Sequence, residues 1–276
     1  MNTRFFSSAN PVFAIATLFA FALPPHNNTN SVPVEWARIM SHMTIVYLDD
    51  GHGNQLETIQ ISGVNVQIVN GLGVTNTTNG LGNLIVGYNE PSGAADRTGS
   101  HCIVGGVDNN YSSCGGLVVG RGNSVSAEYA SVSGGAYSVA SGEASSVSGG
   151  LNNLASGEAS SVSGGRDNTS GGLITSVSGG NENTANADYS WVGGGFHGMT
   201  NGRWSSVTGG YNNITTGQFS SVTGGGGNIA NGYQASATGG SANQANGYNS
   251  SVSGGFGVSV FDDDDWAAGS CYFCDY

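Results

Sequence analysis

Along most of this chain the hydrophobic positions obey a fixed period. A valine stands at Val132 and recurs at Val147, Val162, Val177, Val192, Val207, Val222 and Val252, with Ala237 in the one gap, a step of 15 residues throughout. Extended backwards, the lattice reaches Leu117 and Cys102, where "LVVG" and "CIVG" stand in for "VSGG". Self-similarity at a fixed distance marks a repeat architecture and outranks local propensity.

Within a unit, Ser-Val-Ser alternates polar and apolar with period two, which predicts a strand with its valine facing inward. The Gly pair behind it permits a bend or a close backbone approach. Asn153, Asn168, Asn183, Asn213, Asn228 and Asn243 fall where a turn can use asparagine's tolerance of left-handed φ, and where stacked side chains can bond as a ladder. An apolar or medium residue follows (Val139, Leu154, Met199, Ile214, Ile229), then a small one (Ala140, Ala155, Ala185, Ala230, Ala245), and Gly142, Gly157 and their copies mark a second corner. Fifteen residues with two corners hold two short strands, one on each side of a flattened coil. The expected fold class is all-β: a parallel β-solenoid (β-roll) whose stacked Val, Ile and Ala form the core. At about 4.8 Å per coil, the lattice from Cys102 to Val252 implies a rod on the order of 50 Å long.

These units resemble the head repeats of trimeric autotransporter adhesins of the YadA and haemagglutinin type. Ser131-Val132-Ser133-Gly134 with Asn153, Ala155 and Gly157, and their copies from Cys102 to Gly255, carry the resemblance. It implies a left-handed parallel β-roll and an adhesive, homo-oligomeric protein. The lead-in "NGLGNLIVGYNE", Asn79 to Glu90, is similar to the entry segment of exported β-solenoids.

The repeats occupy 101–255. Ahead of them, 23–100 reads as a small α/β N-terminal cap and entry segment. Val34, Ala37, Ile39 and Met40 have roughly helical spacing, and "TIVYLDDGHGNQLETIQISGVNVQIVNG" reads as a strand, a turn at "DDGHGN" and two more strands. Residues 1–22 predict a signal peptide. Arg4 precedes an apolar run, Pro11 to Leu23, too short to span a bilayer, and Ala20 to Ala22 offers small residues for cleavage. No later segment reads as a membrane span. After Gly255 the period dissolves, and 256–276 is a C-terminal cap or assembly tail, since open strand edges need atypical ends.

Composition narrows the function. Charge is sparse, 9% of residues with a net −12, and all six basic residues are Arg, so no basic stripe serves nucleic acid or an anionic membrane. With the signal-like N-terminus, this places the chain outside the cell, secreted or on the cell surface. In that setting Cys102, Cys114, Cys271 and Cys274 are disulfide candidates. "CYFC" lacks the second ligand pair of a structural zinc site. His26, His42, His52, His101 and His197 are scattered without ligand spacing or a nucleophile's setting, and His52 reads as a turn residue. No catalytic residue, no cofactor and no enzyme activity are expected. Asp262, Asp263, Asp264 and Asp265 are weak calcium candidates, without the spacing or glycine of an EF-hand loop.

Surface rows remain. The serines flanking each valine point outward, in files running Ser131, Ser146, Ser161 and Ser133, Ser148, Ser163, which resemble the threonine arrays of ice-binding solenoids. A second column runs Ala144, Ala159, Ile174, Tyr189, Trp204 and Phe219, with Tyr233 and Tyr248 one place earlier and Trp191 and Phe196 near it. Exposed aromatics suit another copy of the chain, or a host, matrix or glycan surface. The expected function is an exported structural or adhesive solenoid, a rigid self-associating rod or fibre subunit. The alternative is a soluble ice-binding or glycan-binding module.

Overall fold

The computed structural model describes residues 33–269, so residues 1–22, read above as a signal peptide, and the cysteines Cys271 and Cys274 lie outside the described residues. The chain divides between Val66 and Gln67 into two compact units.

The first unit holds one helix, α1 (Val34–Met40), and a hairpin of β1 (Met43–Asp49) and β2 (Gln55–Ile61). The strands pair antiparallel, Met43 with Ile61 and Ile45 with Ile59. Their turn is tied by Asp50, whose carboxylate accepts from the backbone N–H groups of His52 and Asn54 at 2.7 and 3.0 Å. His52 is therefore a turn residue, as the sequence suggests. One reading needs correction: Val64–Val69 forms no further strand, and pairs with none among the described residues. No residue of 33–66 is buried.

The second unit is an all-β parallel solenoid with coils of about 15 residues. One parallel sheet of 13 strands begins at Leu84–Val86 and ends at Trp266–Ala267, and a second of 11 strands runs beside it. Register is strict: Ser146 pairs with Ser131 and Ser161, Val147 with Val132 and Val162. A third column of isolated parallel bridges links Arg121, Ala136, Leu151, Arg166 and their copies.

Most strands are two residues long, and alternation puts one residue inside and one outside. In the first sheet the inner file is valine: Val132, Val147, Val162, Val177, Val192, Val207, Val222 and Val252 are all fully buried, with Ala237 between. Extending this file backwards corrects the lattice. Val118 and Val104 continue it, not Leu117 and Cys102, because the first coils step by 14 residues. In the second sheet the inner file is Ala140, Ala155, Ala185, Ala230 and Ala245, while Val139, Leu154, Met199, Ile214 and Ile229 stand outside, half-buried. The core is thus Val against a file of small residues, mostly Ala with Ser170, Thr200 and Thr215 among them, and Ile is not part of it.

The asparagines are also placed differently from a turn reading. They are buried, and the left-handed φ falls one residue earlier, at Asn152, Asp167 and Glu182. Their ladder runs to backbone. Asn168 donates from Nδ2 to the carbonyls of Gly164 and Gly180 at 2.9 and 3.0 Å, and its Oδ1 accepts the N–H of Asn183 at 3.0 Å. Every polar site of the carboxamide is used except one lone pair, which allows it to sit in the interior. Gly142 and its copies open the second corner, as in the turn closed by the Ser145 N–H on the Gly142 carbonyl at 3.0 Å, and are close-approach positions as well: a Cβ on Gly157 would fall inside the van der Waals radius of the Gly172 carbonyl oxygen.

Candidate functional site

The second corner opens at a glycine, but its left-handed residue is not one. Tyr129, Ala144, Ala159, Ile174, Tyr189, Trp204 and Phe219 all hold φ between 51° and 60°, immediately before the buried residue that precedes each valine strand. A Cβ at a left-handed corner costs about 1–2 kcal/mol each, so this file was not free to form. Parallel in-register coils bring copies of the corner about 4.8 Å apart, near the contact distance of two aromatic rings.

The aromatic members stack. Tyr189 and Trp204 have ring centroids 5.5 Å apart at 12°, and Trp204 and Phe219 4.9 Å apart at 4°. Phe219 meets Tyr233 edge-on at 5.6 Å, and Tyr233 stacks on Tyr248 at 4.9 Å. The sequence column of Tyr189, Trp204, Phe219, Tyr233 and Tyr248 is therefore one continuous ladder. Arg203 lies over Trp204 at 4.1 Å and over Tyr189 at 5.2 Å, a cation–π seal on that stretch. Ring faces inside the stacked stretches are covered by neighbouring rings, and ring edges are what solvent sees.

Two residues expected near this column are not in it. Trp191 occupies an outer strand position of the valine sheet, where its Nε1 donates to Ser178 Oγ at 3.1 Å. Phe196 belongs to the bridge column and stacks on Tyr211 at 5.5 Å and on His197 at 4.2 Å. His197 also pairs with Glu182. This second, shorter stack is missed by sequence reasoning; the 15-residue step from Phe196 to Tyr211 is the signal that finds it.

Other candidates do not converge. Cys102 and Cys114 are buried free thiols, which corrects their reading as disulfide candidates. Burial pushes both thiols up, so neither is a ready thiolate. Three of the four aspartates of the acidic run accept from separate donors: Asp263 from Tyr248 N–H, Asp264 from Asn249 and Asp265 from Trp266 N–H. Among the described residues no group of three His, Cys, Asp or Glu is gathered to hold a metal ion. His42 and His101 bond backbone carbonyls, of Ser62 and Thr75, at 3.0 Å. A shallow groove of about 690 Å³ runs over the outer file of the second sheet, between Met199, Ile214, Ile229 and the rim residues Asp167 and Glu182.

The serine files lie where expected, those before valine half-buried and those after it exposed. Part of their hydrogen bonding is internal, as between Ser161 and Ser176 at 3.1 Å, and Trp191 with Gly193 interrupts both files.

No family model matches the chain, and no curated protein matches it. What stands of the resemblance to adhesin heads is the architecture, a parallel solenoid of about 12 turns. Among the described residues no helix is long and apolar enough to cross a membrane.

Proposed function

We propose that the chain is an exported structural or adhesive solenoid, a rigid self-associating rod or fibre subunit on or outside the cell. The aromatic ladder carries this reading. A sugar recognised by stacking needs an open ring face, and between Tyr189, Trp204 and Phe219 the faces are spent on one another. An apolar strip of ring edges instead suits packing against a complementary strip of protein. In-register backbone bonds in every coil supply the rigidity, and the sparse charge and signal-like N-terminus support export. Sedimentation velocity over a concentration series tests it. The native chain is expected to associate, and Trp204→Asn, which suits a left-handed corner, is expected to weaken association with the coil stack intact. A chain that stays monomeric into the millimolar range overturns the reading.

A soluble ice-binding or glycan-binding module is the second reading, favoured by the hydroxyl file exposed on most regular coils. Against it stand the break at Trp191 and Gly193 and the hydroxyl-to-hydroxyl bonds along the file. Thermal hysteresis in the purified chain would establish it.

A further inference from the structure

The geometry points to the partner of this strip: a second copy of the chain, packed antiparallel about a two-fold axis that lies in the interface at Leu173 and Ile174. This rests on the self-association proposed above and specifies its direction and register.

The corner file is not uniform along the stack. From Tyr129 to Phe219 it reads Tyr129, Ala144, Ala159, Ile174, Tyr189, Trp204, Phe219, and the later corners Gln234, Asn249 and Asp264 lie beyond the seven that self-pair. Reversed about Ile174 and laid on itself, it places Tyr189 over Ala159, Trp204 over Ala144 and Phe219 over Tyr129. The largest side chains of one copy meet the alanine trough of the other, twice by symmetry. Parallel packing would set aromatic beside aromatic and leave the troughs of Ala144 and Ala159 facing each other, unfilled. A two-fold interface needs a self-complementary surface, and only the reversed order gives one here.

Charge follows the same order. The file one residue earlier reads Glu128, Glu143, Glu158, Leu173, Asp188, Arg203, Gln218. Reversal about Leu173 brings Arg203 to the partner's Glu143. Among the described residues the ion pairs are Arg166 with Asp167 and His197 with Glu182, so Arg203 has rings beneath it and no carboxylate of its own. Like charges also meet, Glu158 against the partner's Asp188, twice by symmetry, and there the Asp188 carboxylate already accepts the Leu173 N–H at 3.0 Å. At about 4.8 Å per coil the seven corners span about 30 Å. Two residues per corner fall short of the roughly 20–30 residues a side of a standard interface, so the dimer is concentration-dependent rather than permanent.

Charge reversal in the full chain, read by sedimentation velocity, tests the register. Glu143→Arg and Arg203→Glu are each expected to raise the dissociation constant about tenfold, because either one removes both symmetric ion pairs between the copies. The double variant carrying both is expected to return to the native value, since each new arginine then meets a new glutamate. Ala159→Trp fills the trough and is expected to abolish the dimer; Trp204 already occupies the equivalent corner, and an unchanged circular dichroism spectrum excludes misfolding. A chain that associates without rescue in the double variant overturns the antiparallel register and leaves self-association standing. A strict monomer overturns both.

Discussion

The two units of this chain use β-structure in opposite ways. The hairpin has strands of seven residues, a tied turn and strict pairing, yet Ile45, Tyr47, Ile59 and Ile61 stay about half exposed or more and nothing in residues 33–66 is buried. The solenoid is built mostly from strands of two residues, and its valine file is sealed completely. Strand length is thus a poor guide to stability. A coil is covered above and below by its own copies, so each short strand gains a core that a long isolated hairpin lacks.

The largest contrast is expected in hydrogen exchange. Amides of β1 and β2 should open with a free energy near zero, while those of Val147 and Val162 exchange only with global unfolding. Equal protection in the two units would erase the comparison. Within the solenoid, Gly165→Ala is expected to cost about 3 kcal/mol or more in chemical denaturation, because the residue holds φ 84° and its Cβ would run into the Gly180 carbonyl oxygen.

Next in size is the asparagine ladder. Asn168→Ala leaves the Asn183 N–H and the Gly164 carbonyl without that partner, while the Gly180 carbonyl keeps the Arg166 N–H, and should cost about 2 kcal/mol. Gly198 interrupts the same ladder: its N–H donates to Asn183 Oδ1, but it offers no carboxamide to Asn213. Gly198→Asn should restore the ladder and add about 1 kcal/mol, provided the Asn183 carboxamide, whose Oδ1 lies 3.0 Å from the added Cβ, and Val192 and Val207, each 3.2 Å away, yield slightly.

A smaller pair separates paired from unpaired buried hydroxyls. Ser190 Oγ bonds Thr200 Oγ1 at 2.7 Å, whereas Ser160 Oγ has no partner. Ser190→Ala should destabilise by about 1 kcal/mol and Ser160→Ala should stabilise by about as much, since Ala130 and Ala235 already hold that file. Opposite signs in thermal melts are the check.

Acid has the least effect and touches both units. The Asn54 side chain, then the N–H groups of His52 and Asn54, hold Asp50 below the usual carboxylate range; the Ser92 hydroxyl and N–H do the same for Asp108. A carboxylate depressed in the folded state stabilises above its unfolded pKa and loses that contribution as pH falls through the folded value, here below about 4. Protection at the N–H of Asn54 and Ser92 should fade together over that range.

Much of this architecture is legible in the sequence. The 15-residue step identifies the valine file, both strands of each coil and the aromatic ladder, because a parallel in-register stack converts sequence period directly into spatial neighbourhood. Cys102 and Leu117 are misplaced by the period alone because "IVGGV" and "LVVGR" each contain several apolar residues, and only pairing shows which one faces in. Hydrophobicity assigns Ile214 and Ile229 to the core, but a two-residue strand has room inside for one side chain, and a smaller neighbour, Thr215 or Ala230, takes it.

The sequence by itself therefore determined the period, the strand faces and the columns that repeat, since these depend only on spacing. Tertiary structure decided what the spacing leaves open: left-handed corners at Trp204 and Phe219 rather than at glycine, glycine where coils touch, and asparagine bonded inward to backbone. Those outcomes depend on the distance between successive coils, about 4.8 Å, which is set by backbone hydrogen bonds between residues far apart in the chain.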